Sequence, residues 1–309
     1  MQEITKRRAL VSKRQKRTGS STLYWMLIPA MILTFIFSYL PIFGIVMAFQ
    51  KFSPIKGFLG SKWVGLQNFK LLFHQDLFIR SIWNTVYLSL GKIILGIIVP
   101  VILALLLNEL LNLRVKKFLQ TVFLAPYFLS WAILAGVLVS LFAVDGPVNN
   151  LIVSLGGEAQ PFLTSNTWFP GILIVSDTWK NMGMNLVIYL AAITNIDPTL
   201  YEAAEVDGAS YWQKAIYITF PSIKPMIMLL TILSLGSILN AGFEQIYMMY
   251  NPAVYASSDI IDTFVYRAGM VDMQYSLSAA AGLFKSLVSF VFVSLSYWFA
   301  YKFTDYKVL

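Results

Sequence analysis

The chain has no cysteine and a single histidine, His74, among 309 residues. The first absence removes disulfides, thiolate nucleophiles and cysteine-ligated metals. The second leaves too little for a histidine-based metal site or an ordinary Ser/His catalytic pair, so no catalytic residue and no metal ligand is assigned. No Gly-Lys-Ser/Thr phosphate loop is present, so the chain does not read as an ATPase. Charge is scarce as well: 12% of residues are charged and 58% are hydrophobic, against about 25% and about 45–50% in soluble domains. Lipid is therefore the expected main solvent. A spanning helix takes about 20 apolar residues, which leaves room for about six spans with loops. The net charge of +8 is concentrated, with seven of 23 basic residues in Lys6–Arg17 just before the first apolar run. That placement favours anionic lipid over nucleic acid.

Taken in order, residues 1–20 read as a basic cytosolic tail, and 21–80 as a first span, Leu23–Phe49, with a polar outer loop. Trp63 and several phenylalanines in that loop suit a membrane interface. The Leu23–Phe49 run is too long for a signal-peptide core, and no small-x-small cleavage site follows it. Pro41 is expected to kink it. Residues 81–303 hold five more spans, at about Trp83–Leu107, Phe118–Val144, Trp168–Thr194, Met226–Met249 and Leu277–Phe303, with a loop at 195–225. Residues 304–309 form a second short cytosolic tail. The fold class is all-α, with six membrane helices.

Six spans put both termini on one side. That side carries 14 Lys and Arg and the other six, while Lys92, Lys180 and Lys285 fall inside spans. The asymmetry places both termini and the 195–225 loop in the cytosol.

That loop holds the longest polar stretch of the second half, Tyr201–Pro225, with Glu202, Glu205 and Asp207. Asp197-Pro198 is a helix start, because Asp caps free amides and Pro at the first position loses no needed donor. Gly208 is a natural stop, and Ser210 to Gln213 has capping-box spacing. The spacing predicts two short helices jointed at Gly208, the second running to about Phe220, with Pro221 and Pro225 marking the return to the membrane. Ala203, Ala204 and Ala209 would keep the surface around the joint slim, a small apolar surface ringed by carboxylates. On physical grounds two readings stand: a docking element for a cytosolic partner, or an interfacial helix pair that merely links two spans.

The residues themselves resemble the signature loop of binding-protein-dependent permeases, the membrane subunits of ABC importers. That pattern is Glu-Ala-Ala, three residues, Gly, nine residues, Ile-x-Leu-Pro. The chain has Glu202-Ala203-Ala204, Gly208 and Ile218-x-Phe220-Pro221, departing only at Phe220. Tyr39-Leu-Pro-Ile-Phe-Gly44, Trp63-Val-Gly-Leu-Gln-Asn-Phe69 and the stretch Phe243–Pro252 are similar to the oligosaccharide and polysaccharide branch. The resemblance implies a type I importer permease in a bacterial cell membrane, with a coupling helix between helices 4 and 5. It implies a cytosolic ATPase dimer that holds ATP and Mg, with no cofactor bound by this chain. It further implies a second homologous permease forming a heterodimer and an extracytoplasmic binding protein that delivers the sugar. Under it Glu202 is the charged contact to the ATPase, Ala203 and Ala204 the close-packed floor, Asp207 and Gly208 the joint, and Ile218 and Pro221 the anchor to span 5. A non-sugar solute, or a self-contained secondary transporter, is the alternative.

Polar residues inside spans are costly and usually face a cavity or a partner. Asn240, Glu244 and Tyr247 fall at helical spacing on one face, either as a sugar path or as a polar packing seam. Lys180 and Asn185, with Trp179 and Asn181, make a wet half of span 4. Lys92 and Lys285 either pair with Glu244, snorkel or line the path. Trp131 and Tyr127 either stack a sugar or pack. Asp259 and Asp262 read as a solvated turn or binding-protein contact, with calcium ligation as the alternative. His74 reads as a surface residue. Ala279–Gly282 suits close helix packing.

Overall fold

The structure, a computed structural model, describes residues 24–303, apart from the side chains of Ala300 and Phe303. The basic tail at 1–20 and the tail at 304–309 lie outside the described residues. Twelve helices of six or more residues organise the described part. Helix α1 (Tyr24–Phe49) leads into a hairpin of β1 (Gln50–Lys51) and β2 (Lys62–Trp63), antiparallel with Gln50 opposite Trp63. Next come α2 (Gln67–Phe73), α3 (Asp76–Asn108), α4 (Leu113–Leu124), α5 (Trp131–Phe142) and α6 (Pro147–Ser154). They are followed by α7 (Phe169–Thr194), α8 (Pro198–Val206), α9 (Tyr211–Gly236), α10 (Phe243–Met249), α11 (Ile261–Tyr266) and α12 (Tyr275–Phe303).

Five helical stretches are long and apolar enough to cross a membrane: α1, α3, α5 with α6, α9 and α12. The sixth expected span, α7, has 26 residues but lowers its hydropathy with Asp177, Lys180, Asn181 and Asn185. Helix α3 has 33 residues, about 50 Å, so it outruns the hydrocarbon layer of about 30 Å. Its extra turns begin at Asp76, inside the expected polar loop. That loop is an ordered cap: Asn68 Nδ2 donates to Ala48 O at 2.8 Å and to Gln50 O at 2.9 Å, and Phe49 stacks on Trp63.

Two apolar clusters share the hairpin half of the bundle. One gathers Leu88, Phe169, Leu173 and Ile246, and the other Phe78, Ile261, Phe264 and Ala280. A third, at the opposite end, joins Ala104 and Leu107 of α3 to Leu186 and Tyr189 of α7 and to Ile223 of α9. The segments 50–75 and 250–274 thus lie at one end and 195–215 at the other. Ala280 and Ala281 are fully buried, as expected of small residues opening the last span.

Two of the expected spans are not the continuous helices that the apolar runs suggest. The expected span 118–144 is broken: α4 passes into a 3-10 turn at Ala125–Phe128, and α5 restarts behind the cap of Ser130, whose Oγ accepts from Ile133 N–H at 3.4 Å. Pro126 lacks the donor that would carry the helix through. The expected span 226–249 also breaks, because α9 ends at Gly236 and α10 starts after Gly242, at φ +90°. Conversely, Pro221 does not end a helix. A π-turn at Ala215–Thr219, with Phe220 N–H on Ala215 O, widens α9 immediately before it. The same device, Leu40 N–H on Phe35 O, precedes Pro41 in α1. A wider turn relieves the clash of the proline ring with the preceding turn.

Candidate functional site

The acidic segment folds as its capping residues require. Asp197 accepts from Thr199 N–H at 3.0 Å, and that bond holds its exposed carboxyl below the ordinary value. Helix α8 closes on Gly208 at φ +76°: Gly208 N–H reaches Glu205 O at 3.1 Å and Ala209 N–H reaches Ala204 O at 2.9 Å. This pair of bonds satisfies the last carbonyls of the helix and needs the left-handed glycine. Ser210 and Gln213 then form a complete capping box, with Ser210 N–H on Gln213 Oε1 at 2.7 Å and Gln213 N–H on Ser210 Oγ at 3.4 Å.

Two side-chain links brace the joint. Tyr201 OH and Thr219 Oγ1 are 2.9 Å apart, and Lys214 Nζ lies 3.6 Å from Glu205 Oε1. Glu202, Ala203, Asp207 and Gly208 are exposed, Ala204 is half-buried, and Val206 is 90% exposed. The chain therefore presents a small apolar surface ringed by carboxylates that its own fold does not cover. Ile218 is half-buried and Pro221 is exposed on α9. The second helix does not stop at about Phe220 as expected; it is the start of α9 itself.

The far end of α9 borders a polar cavity of 450 Å³. Helix α3 contributes Ser89 and Lys92, α7 contributes Asp177, Asn181 and Asn185, and the non-helical stretch after α9 contributes Asn240. Lys92 Nζ donates to Ala241 O at 2.7 Å and to Gln245 Oε1, with Asp177 Oδ1 at 3.6 Å. Gln245, fully buried, donates in turn to Leu173 O and Ser176 Oγ, both at 2.8 Å. Asn185 Nδ2 donates to Gly96 O at 3.1 Å. Ser89 Oγ is buried and has no hydrogen-bond partner.

Of the residues singled out for a pathway, Asn185 and Asn240 line this cavity, while Lys180, Trp131, Glu244 and Tyr247 lie outside its lining. Lys180 is buried and donates to Pro126 O, Tyr127 O and Leu129 O, the last two at 2.9 and 2.5 Å. Tyr127 O and Leu129 O lie in the break between α4 and α5, while Pro126 O also accepts from Leu129 N–H at 3.1 Å. Trp131 lies with its ring 5.6 Å from the same ammonium.

The single face expected of Asn240, Glu244 and Tyr247 is not formed, because the break at 237–242 separates Asn240 from α10. Glu244 is exposed. Tyr247 stacks on Phe243 and meets Tyr266 hydroxyl to hydroxyl at 3.2 Å. Neither Lys92 nor Lys285 pairs with Glu244: Lys285 donates to Asn240 Oδ1 at 3.0 Å and to Asp262 Oδ1 at 2.6 Å.

Asp259 is not a solvated turn residue. It is 1% exposed and takes a bidentate pairing from Arg267, with Nη1 at 3.1 Å from Oδ1, plus Thr263 Oγ1 at 2.7 Å. Among the described residues no group of acidic or histidine side chains is placed to hold a metal.

Asp177 and Gly183 escaped the reading of the sequence. A Cβ on Gly183 would lie 2.2 Å from Phe123 O, so this glycine lets α7 touch the end of α4. The signal for Asp177 was present, an acid within an apolar run. Nothing local marks Gly183.

Residues 92–305 match the family described as "Binding-protein-dependent transport system inner membrane component". Over 305 residues the chain is 41% identical to the Polygalacturonan/rhamnogalacturonan transport system permease protein YteP of Bacillus subtilis (strain 168), covering 96% of this chain and 95% of the relative. A solved bacterial ABC transporter involved in the import of the acidic polysaccharide alginate contains a chain 38% identical to this one, with a TM-score of 0.85 over 93% of this chain and 98% of the other. The bacterial alginate ABC transporter in complex with alginate pentasaccharide-bound periplasmic protein gives a TM-score of 0.84 at 38% identity, over 93% and 96%.

Proposed function

Since the chain belongs to the family of binding-protein-dependent transport system inner membrane components, we propose that it is the permease through which an ATP-driven importer takes up oligosaccharides or polysaccharide fragments across a bacterial cell membrane. It is a multi-pass membrane subunit and not an enzyme. ATP and Mg belong to a partner ATPase dimer in the cytosol, which also holds both termini of this chain. A second, unlike permease completes the path, and an extracytoplasmic binding protein delivers the cargo.

One observation carries this reading. The exposed acidic joint and the polar cavity are the two ends of a single uninterrupted helix, α9. Glu202, Ala203, Ala204, Asp207 and Gly208 dock on the ATPase, and Ile218 and Pro221 tie the docked segment to the span. Movement there reaches Leu230, Ser234 and Ser237, which line the cavity. A cavity of this size falls within the range of about 300–1,000 Å³ usual for small-molecule sites. Its amides, Asp177 and the unpartnered Ser89 hydroxyl suit the alternating donors and acceptors of a polyol. The path continues outward past Glu244 and the ring of Tyr247, with Lys180 and Trp131 holding the broken wall on the other side.

The test is uptake of labelled oligogalacturonide or alginate oligosaccharide together with pull-down of the ATPase. Glu202→Ala and Gly208→Leu are expected to lower uptake by at least about tenfold, since the docking contacts lie in this exposed charged joint, while membrane insertion stays normal. Uptake and pull-down both unchanged would refute the coupling role.

A further inference from the structure

The non-helical stretch Ser237–Gly242 is held from two sides by two lysines that belong to different helices. Lys92 of α3 donates to Ala241 O at 2.7 Å and to Gln245 at the start of α10. Lys285 of α12 donates to Asn240 Oδ1 at 3.0 Å. Each ammonium also faces an aspartate that does not belong to the stretch: Asp177 of α7 at 3.6 Å from Lys92, and Asp262 of α11 at 2.6 Å from Lys285.

We propose that Lys92 and Lys285 are positioning residues for transport, paired latches that hold the interruption of span 5 across the cavity and release it without ever losing their counter-ions. This rests on the transport reading above. The argument is electrostatic. A charge left bare inside a membrane protein is costly, so a latch made of a lysine alone would hardly open. Here the bonds to the stretch go to neutral acceptors, a carbonyl and an amide oxygen, while the charge is balanced by an aspartate anchored elsewhere. When the stretch moves, only neutral-acceptor bonds break. Gly242 fits the same scheme: a Cβ there would come within 3.0 Å of Lys92 Nζ, so the glycine admits the ammonium beside the main chain.

The chain lacks cysteine, so a single Ser237→Cys reports on the stretch without background. Ser237 is exposed and lines the cavity. The experiment measures the rate of maleimide labelling of Ser237→Cys in native membranes holding the full chain, without cargo or added ATP. Lys92→Met and Lys285→Met are each expected to raise the rate about fivefold or more, the effect of losing about 1 kcal/mol of holding interaction. Lys92→Arg and Lys285→Arg should stay within about twofold of the parent, because the donors and the charge are kept. Asp177→Asn and Asp262→Asn should not raise it, because the lysines keep their bonds to the stretch. If a methionine variant is not recovered in the membrane, the glutamine variants carry the same expectation. Unchanged labelling in both lysine variants overturns the proposal, as does an equal rise in the Met, Arg and Asn variants, which is what general loosening would give. Labelling needs neither cargo nor ATPase, so its outcome is separate from that of the uptake test.

Discussion

At the scale of single residues, close approach and buried charge decide more than chemistry. Gly183 sits where Phe123 O and Leu124 Cα would lie 2.2 and 2.5 Å from an added Cβ. These atoms are main chain, so they cannot swing aside. Gly183→Ala is expected to destabilise the bundle by about 1–3 kcal/mol, the usual range for overpacking, read as a lower melting temperature of the detergent-solubilised protein. Gly282→Ala is the control: nothing lies within 4 Å of its Cβ position, and in a helix interior alanine is favoured over glycine by about 1 kcal/mol. A fall in stability for both would show that the measurement responds to any change in the helices and not to this contact. Lys180 follows the same logic in reverse. Its ammonium answers carbonyls that the broken helix leaves open, which turns a costly buried charge into a plug.

At the scale of elements, the joint of α8 and α9 is tied by side chains more than by the main chain. The Tyr201 to Thr219 bond connects the first helix of the joint to the π-turn of the second. Tyr201→Phe removes that bond and little else. It should leave insertion unchanged while lowering the cargo-stimulated part of ATP hydrolysis several-fold, with basal hydrolysis kept; equal stimulation in the variant and the parent would show the brace to be idle. This joint was readable in the sequence because every cap in it is local. Asp197, Pro198, Gly208, Ser210 and Gln213 each act on main-chain groups within four positions. The breaks in the spans were hidden for the opposite reason. An apolar run looks the same to hydropathy whether its helix is whole or interrupted, and what stabilises the breaks comes from afar: Lys180 from α7 for one, Lys92 and Lys285 for the other. Pro221 misled because the π-turn that accommodates it has no sequence mark of its own. The pairings of Asp177 and Asp262 depend on which helices become neighbours, and spacing along the chain does not tell that.

At the scale of the whole molecule, much of the outer surface is apolar side chain. Helix α1 is the extreme case, with 6% of its apolar stretch buried. Some of this surface meets lipid, and on the transport reading some meets a second permease. Purified in mild detergent from cells that make it naturally, the chain is expected to elute with an ATPase and an unlike permease. A monodisperse lone chain that still carries out uptake in vesicles would favour the secondary-transporter alternative. The division of the chain would then also fall differently, since a docking joint has no task without something to dock on.

The continuity of α9 has a mechanical side. Its 26 residues make a rod of about 39 Å. A tilt of about 10° about one end carries the other by roughly 7 Å, so a rigid-body rotation far smaller than many domain closures suffices. That stroke is wider than a sugar ring is thick. On the transport reading, the rod's π-turn at Ala215–Thr219 lies next to the acidic joint and far from the cavity, so most of the length can work as a lever arm, with Pro225 inside it lacking one backbone donor. The Ser237–Gly242 stretch sits where the stroke is longest.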